Sequence, residues 1–303
     1  MISVITSFYN EEENLPILYK ELNDALKKLD RPYEIILNDD GSTDNGGKVA
    51  DELAKEDDHI VVYHQRTRFG KGEGLATGVR LAKGDTLIFM DADLQDNPED
   101  IEKLVKKIDE GYELVNGVRT SRKHNSIIKI YSKLGNTFLQ KLAHSPFTDI
   151  NCGFKALKKE VLKDIVFYGN NFRFLPLAAF SQGYKVSEVP VDNRARMHGK
   201  AKFGNGKAFI GLIDTVTAYF LYKFAERPLH FFGTLGGVFF LVGMIFTAYL
   251  VILRIFYNVL LYRRPSLQLA IALIIVGLQF VMTGIIGELI VYMHKKDAHN
   301  NSK

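Results

Sequence analysis

Two aspartates one residue apart, Asp91 and Asp93, follow the apolar run Leu87-Ile88-Phe89-Met90, so a buried strand would deliver two carboxylates into a polar loop. Hard oxygen ligands in that arrangement suit Mg²⁺ or Mn²⁺, which can bridge the oxygens of a diphosphate and neutralise charge on a departing phosphate. An Asp-x-Asp alone is common on protein surfaces; its place at a strand end gives it weight. A second acidic group, Asn38-Asp39-Asp40-Gly41-Ser42-Thr43-Asp44, ends another apolar run. One acid there could be a helix cap with a turn glycine, whereas two adjacent acids can also accept hydrogen bonds from a nucleotide's ribose or base. The segment Phe69 to Gly78 fits neither G-x-G-x-x-G nor a Walker A pattern. It reads as a flexible loop feeding a helix, with Lys71 available for phosphate.

The elements that must position these groups alternate. Strand-like Ser3–Thr6, Tyr33–Leu37, Ile60–Tyr63 and Thr86–Met90 are interleaved with helix-like Leu15–Leu29, Gly46–Ala54, Gly74–Ala82 and Pro98–Glu110. That rhythm predicts an α/β fold with a mostly parallel sheet, whose ligands sit beyond the carboxyl ends of the strands. From about 116 to 202 the pattern is less regular, with strands over Tyr112–Gly117 and Lys185–Val191 around a helix over Ser126–Ala143.

Composition narrows the class. The 303 residues carry 39 Lys+Arg against 35 Asp+Glu, a mild excess that gives no basic footprint, and no nucleic-acid partner is expected. The lone Cys152 excludes an intramolecular disulfide framework and reads as a packing residue. The N-terminus shows no signal-peptide pattern. Hydrophobicity gathers instead in Leu229–Leu253 and Leu267–Met293, each about 25 residues and so about 37 Å of helix, enough to cross a hydrocarbon core of about 30 Å. The expected organisation is a catalytic domain over 1–202, amphipathic juxtamembrane helices over 203–228, a transmembrane hairpin over 229–293 and a tail over 294–303. The glycines Gly233, Gly236 and Gly237 would let helix backbones approach, within the hairpin or between protomers, and Glu288 needs a partner or the interface.

The ordered set Tyr9-Asn10-Glu11-Glu12, Asp39 to Asp44, Gly70-Lys71-Gly72, Gly78, Ala82-Lys83-Gly84-Asp85 and Met90 to Glu99 resembles the family 2 glycosyltransferases with a GT-A fold. Within them it is most similar to the polyprenyl-phosphate hexose synthases, and the resemblance runs from the first strand to the hairpin. It implies Mg²⁺ or Mn²⁺ on Asp91, Asp93 and Gln95, and a nucleotide-sugar held by Thr6, Tyr9, Glu11, Asp39, Asp40, Lys71 and Asp91. Asp149, in Asp149-Ile-Asn-Cys-Gly153-Phe154, should lie near the transferred sugar. A late basic motif appears as Arg196-Met-His-Gly-Lys-Ala201-Lys202, with Ala201 where the family has serine, and Arg196 and Lys202 join the donor set. Asp93, Asp149 and Arg119 are the expected catalytic residues.

The acceptor of such relatives is a lipid phosphate, already ionised near neutral pH, so cationic positioning matters more than a strong base. Arg119, Arg122, Lys129, Ser132 and Lys133 are the candidates. The resemblance implies inverting transfer of one hexose, with UDP-glucose favoured over GDP-mannose and undecaprenyl phosphate favoured as acceptor. A catalytically silent nucleotide-sugar-binding anchor is the competing class. Without tryptophan the chain cannot carry the Gln-x-x-Arg-Trp motif of processive synthases. The expected location is the inner membrane with the catalytic domain and both termini cytoplasmic. Lys223, Arg227, Lys295 and Lys296 agree with that, whereas Arg254, Arg263 and Arg264 around the connecting loop run against it.

Overall fold

A computed structural model of the chain describes residues 1–120, 146–165, 169–195, 216–217, 220–221, 223–258, 260 and 265–301. The chain divides into two compact units, Met1–Ala218 and Tyr219–Lys303.

The first unit is built on seven strands: β1 (Ile2–Phe8), β2 (Tyr33–Asp39), β3 (Ile60–His64), β4 (Thr86–Phe89), β5 (Leu114–Arg119), β6 (Lys155–Lys158) and β7 (Val186–Val191). They form one sheet in the order β3-β2-β1-β4-β6-β5-β7. All neighbours run parallel except β6, which is antiparallel to both β4 and β5. Strands β1 and β2 are buried along nearly their whole length, as expected of central strands covered on both faces.

The covering helices are α1 (Leu15–Lys27), α2 (Gly46–Glu56), α3 (Lys71–Leu81), α4 (Ile101–Asp109) and α5 (Leu175–Ser181). Helix α4 buries Ile101, Leu104, Val105 and Ile108, the i, i+3, i+4, i+7 stripe of an amphipathic helix. With Leu15, Leu18 and Leu22 of α1 it packs on Val4, Phe8, Ile35 and Leu37. Each such side chain taken from water contributes about 1.5–3 kcal/mol.

The sheet is mostly parallel, as the alternation predicts, and the elements differ in detail. Helix α3 begins at Lys71 rather than Gly74, after a turn in which Gly70 takes φ 98°. Gly74 sits inside the helix because α3 presses on β1 and β2: a Cβ there would stand 2.8 Å from both Ser7 Cβ and Asn38 Nδ2. The predicted helix from Pro98 opens with a 3₁₀ turn, Pro98–Asp100, before α4. Strand β6 and helix α5 are absent from the sequence reading. The helix expected over Ser126–Ala143 and most of the amphipathic segment over 203–226 lie outside the described residues.

The second unit contains α6 (Pro228–Tyr257) and α7 (Pro265–Asn301), both long and apolar enough to cross a membrane. They pack closely at glycines, and a Cβ on Gly236 would stand 2.6 Å from the Gly277 carbonyl oxygen. Gly237 faces open space. Glu288 of α7 finds its partner at the start of α6, where it accepts a 3.3 Å hydrogen bond from the Leu229 N–H. Lys295 and Glu226 pair at 3.0 Å.

Candidate functional site

The loops after β1 and β2 are laced together. Asn10, with φ 54°, donates its backbone N–H to Ser42 Oγ at 3.0 Å and accepts from the Thr43 N–H at 2.8 Å. The Glu12 N–H donates to Asp44 at 3.1 Å, and Glu11 accepts from the Asn14 side chain at 2.5 Å. The tandem acids face different ways, as successive strand residues must. Asp39 accepts from the Ser42 N–H at 2.8 Å and meets His64 Nδ1 at 3.0 Å, while His64 Nε2 meets Asp51 at 3.1 Å. The hydrogen bond to Asp39 raises the His64 pKa above its ordinary value, with Asp51 adding to the effect. Asp40 accepts from the N–H groups of Phe69 at 2.8 Å and Gly70 at 3.0 Å, which fixes the entry to α3. The Arg68 guanidinium lies 4.1 Å over the Tyr9 ring. Thr6 is fully buried, and its hydroxyl has no hydrogen-bond partner in the structure.

Beyond β4 the chain turns tightly through Leu94, a buried residue at φ 60°. A bulky side chain rarely adopts that conformation, and its burial in the core offsets the cost. The turn brings Asp91, Asp93 and the buried Asp96 into one field. Burial first, then the negative charges of Asp91 and Asp93, push the Asp96 carboxyl up to about 7. Asp91 goes the other way. Burial would raise it, but the Lys71 ammonium, bonded to its Oδ1, holds it below the usual carboxylate range. Lys71 starts α3 and is paired to the first acid of the Asp-x-Asp. The Gln95 N–H donates to Asp93 Oδ1 at 3.3 Å, and the Gln95 carbonyl accepts from the Arg194 N–H at 2.7 Å.

The third component is the turn between Thr148 and Gly153. The Arg119 guanidinium holds Asp149 with two hydrogen bonds, 2.8 and 2.9 Å, in a largely buried pair. Burial alone would lower the Arg119 pKa; the hydrogen bonds and charge of Asp149 outweigh it and raise the pKa above its ordinary value. Gly153 abuts the acidic loop: a Cβ there would stand 3.1 Å from both Asp91 carboxylate oxygens and from Lys71 Nζ. Cys152 is buried, and burial pushes its thiol up to about 11, in keeping with packing rather than chemistry.

Comparison with known proteins decides what this arrangement belongs to. Residues 3–166 match the family model of glycosyl transferase family 2. The chain is a family 2 glycosyltransferase. Among its relatives is the undecaprenyl-phosphate 4-deoxy-4-formamido-L-arabinose transferase of Proteus mirabilis (strain HI4320), 30% identical over 95% of this chain and 88% of that protein. The protein of the same name from Klebsiella pneumoniae (strain 342) is 32% identical over the same shares. Among solved structures, glucosyl-3-phosphoglycerate synthase from Mycobacterium tuberculosis in complex with Mn²⁺ and UDP-glucose superimposes with a TM-score of 0.56 at 20% identity, covering 72% of this chain and 78% of that one. The fold is GT-A.

In this glycosyltransferase the predicted site residues lie within β1 (Thr6), at the carboxyl ends of β1, β2, β4 and β5, at the start of α3 (Lys71) and on the turn that carries Asp149. The exceptions are Arg122, Lys129, Ser132, Lys133, Arg196 and Lys202, which lie outside the described residues. Sequence reasoning missed Asn116, Lys155, Glu188 and Arg194. Arg194 reaches Glu21 at 2.8 Å and Asn97 at 2.7 Å, and Asp96 bridges Asn193, so the segment before Arg196 is stitched onto the acidic loop. No local pattern marks Lys155, which opens the short run Lys155-Ala-Leu-Lys158 with a lysine at each end.

Among the described residues no group of three or more His, Cys, Asp or Glu is arranged to hold a metal. The donor chemistry nevertheless fits: Asp91 and Asp93 supply hard oxygens, a cationic ammonium already sits on Asp91, and Gly153 leaves the space beside that carboxylate free of a side chain.

Proposed function

We propose that this glycosyltransferase moves a single sugar from a nucleoside-diphosphate sugar to the phosphate of a polyprenyl lipid, undecaprenyl phosphate by preference, with inversion at the anomeric carbon. The observation that carries this reading is a junction: the turn bearing the Arg119–Asp149 pair abuts the Lys71–Asp91 pair at Gly153. A diphosphate beside the first carboxylate and a sugar beside the second would be joined at that boundary. Support for the acceptor comes from relatives named for undecaprenyl phosphate that align over 95% of this chain.

In this reading Asp91, Asp93 and Gln95 would hold Mg²⁺ or Mn²⁺, which when bound neutralises charge on the departing diphosphate. The buried Thr6 hydroxyl, Tyr9, Glu11, Asp39 and Asp40 shape the nucleoside end, and Lys71 turns from Asp91 to the incoming diphosphate. Arg196 and Lys202 complete the donor side. Arg119, Arg122, Lys129, Ser132 and Lys133 receive the lipid phosphate, whose ionised oxygen attacks C1 as the bond to the nucleoside diphosphate breaks. Because that oxygen carries no proton at neutral pH, Asp149 need not act as a base. Clamped and charge-compensated by Arg119, it is suited to orienting the sugar hydroxyls.

The donor is read two ways. The motif resemblance favours UDP-glucose, and the names of the relatives favour 4-deoxy-4-formamido-L-arabinose as the sugar. GDP-mannose ranks below both. Helices α6 and α7 cross the inner membrane as a hairpin, with the catalytic unit and both termini on the cytoplasmic side where nucleotide-sugars are made. Full-length protein in detergent, given undecaprenyl phosphate, Mn²⁺ and each donor in turn, should yield a radiolabelled lipid extractable into organic solvent. Absence of such a product with every donor would sink the enzyme reading and favour the silent anchor. Thiol labelling of single cysteines placed at residues 259–264 should occur only from outside the membrane; labelling from the cytoplasm would overturn the topology.

A further inference from the structure

Three polar residues form one row across three adjacent strands. Asn116 of β5 is the register partner of Lys155 on β6 and of Glu188 on β7. Register partners share a sheet face, so their side chains lie side by side. Lys155 Nζ donates to Asn116 Oδ1 at 2.9 Å, and Asn116 Nδ2 donates to Glu188 Oε1 at 3.2 Å. Lys155 is 1% exposed and Asn116 fully buried, so neither is a solvated surface residue. Burying a lysine without a directly bonded carboxylate is costly, and that cost needs a return.

The return lies in what the row grips. Lys155 Nζ also donates to the carbonyls of Ile150, at 3.2 Å, and Cys152. Asn116 Nδ2 donates to the Asp149 carbonyl at 3.0 Å. Glu188 accepts from the Thr148 N–H at 2.9 Å, the Thr148 hydroxyl at 2.7 Å and the Asp149 N–H at 3.3 Å. Backbone groups of Thr148, Asp149, Ile150 and Cys152 are thus fixed by three side chains from three strands. None of the three touches Asp91, Lys71 or the Asp149 carboxylate through a hydrogen bond.

We infer that the Lys155–Asn116–Glu188 row is a positioning device that sets the turn bearing Asp149 against the acidic loop. The inference rests on the reading that Asp149 orients the transferred sugar. The row touches the turn through backbone groups and so fixes where Asp149 and Gly153 stand, while the Lys155 charge adds to those that hold the Asp91 carboxyl low. A displacement of about 1 Å at a reacting centre costs on the order of 10²-fold in rate, which is the effect such a device protects.

The test uses full-length protein carrying Glu188→Ala, which removes a partly exposed member, and Lys155→Gln, which keeps donors but not the charge. Hydrogen exchange is read alongside initial rates with whichever UDP-sugar the unmodified protein uses. For Glu188→Ala the expected result is faster exchange confined to the amides of residues 148–152, a kcat lower by about 10–100-fold and a donor KM within about threefold of the parent. Lys155→Gln should show the same pattern. Exchange that quickens across the whole sheet, or a loosened turn with kcat unchanged, would overturn the inference. If the unmodified protein transfers no sugar, the proposed function falls, and the exchange experiment still decides whether the row holds the turn.

Discussion

The two halves of the sheet hold their functional residues by different means. In the parallel half, β3-β2-β1-β4, the candidate side chains sit mostly at or just past strand ends, and the loops there are held by their own short-range caps and by one another. In the mixed half, β6-β5-β7, Asp149 lies on a turn held from beneath by side chains reaching out of the sheet. The first arrangement places residues by topology and the second by a buried polar network. A strand-end site tolerates changes in the sheet as long as the strand survives, whereas the turn depends on particular atoms inside it.

The comparison can be broken first at the carboxylates. Asp93→Ala should reduce sugar transfer by roughly three orders of magnitude or more while leaving the thermal unfolding midpoint within a few degrees of the parent. Retained transfer would show that the acidic loop is not where the leaving group is stabilised. Next comes the core that supports the parallel half. Leu22 is fully buried between α1 and the sheet, and Leu22→Ala should cost about 2–5 kcal/mol in urea unfolding of the catalytic unit, with turnover per folded molecule unchanged. A fall in turnover as large as that of a turn variant would erase the distinction between the halves.

The smallest effect concerns His64. Its folded pKa is raised by Asp39 and Asp51, so its contribution to stability is fully present below the unfolded value near 6.5 and is lost as pH rises through the folded value. Because the ring is partly exposed, solvent screens the pair and the effect is modest. Urea midpoints measured from pH 5.5 to 8 should drift downward over that window in the parent and flatten in His64→Gln. An equal slope in both would assign the drift to other groups.

The difference between the halves also explains what could be read from the amino acids. Strands β2 and β4 are largely apolar runs that lead into acids, so the run marks the strand and the break in it marks the site. Strand β6 is four residues, Lys155-Ala-Leu-Lys158, with a lysine at each end, and it looks like surface until the sheet is assembled around it. The Lys155–Asn116–Glu188 row joins residues 39 and 72 positions apart and exists only through strand register, which no local pattern encodes. Lys71 was legible as a cation near phosphate, but its pairing with Asp91 depends on α3 beginning at Lys71 rather than at Gly74. Asp149 followed from family likeness and Arg119 from the need for a cation at the acceptor phosphate; their union is a matter of geometry.

The hydrogen bond from the Leu229 N–H to Glu288 carries a consequence for how the hairpin is made. The first turn of any helix exposes backbone N–H groups with no intrahelical acceptor and a partial positive charge. Here one acceptor comes from the following helix, 59 residues later in the chain. Helix α6 alone lacks that acceptor at its start, and α7 alone carries an acid without that donor in a stretch long and apolar enough to cross a membrane. Each completes the other: the carboxylate of α7 satisfies a backbone donor at the start of α6, and the positive end of α6 offsets the charge on α7, so this contact favours one axial register beside the glycine packing.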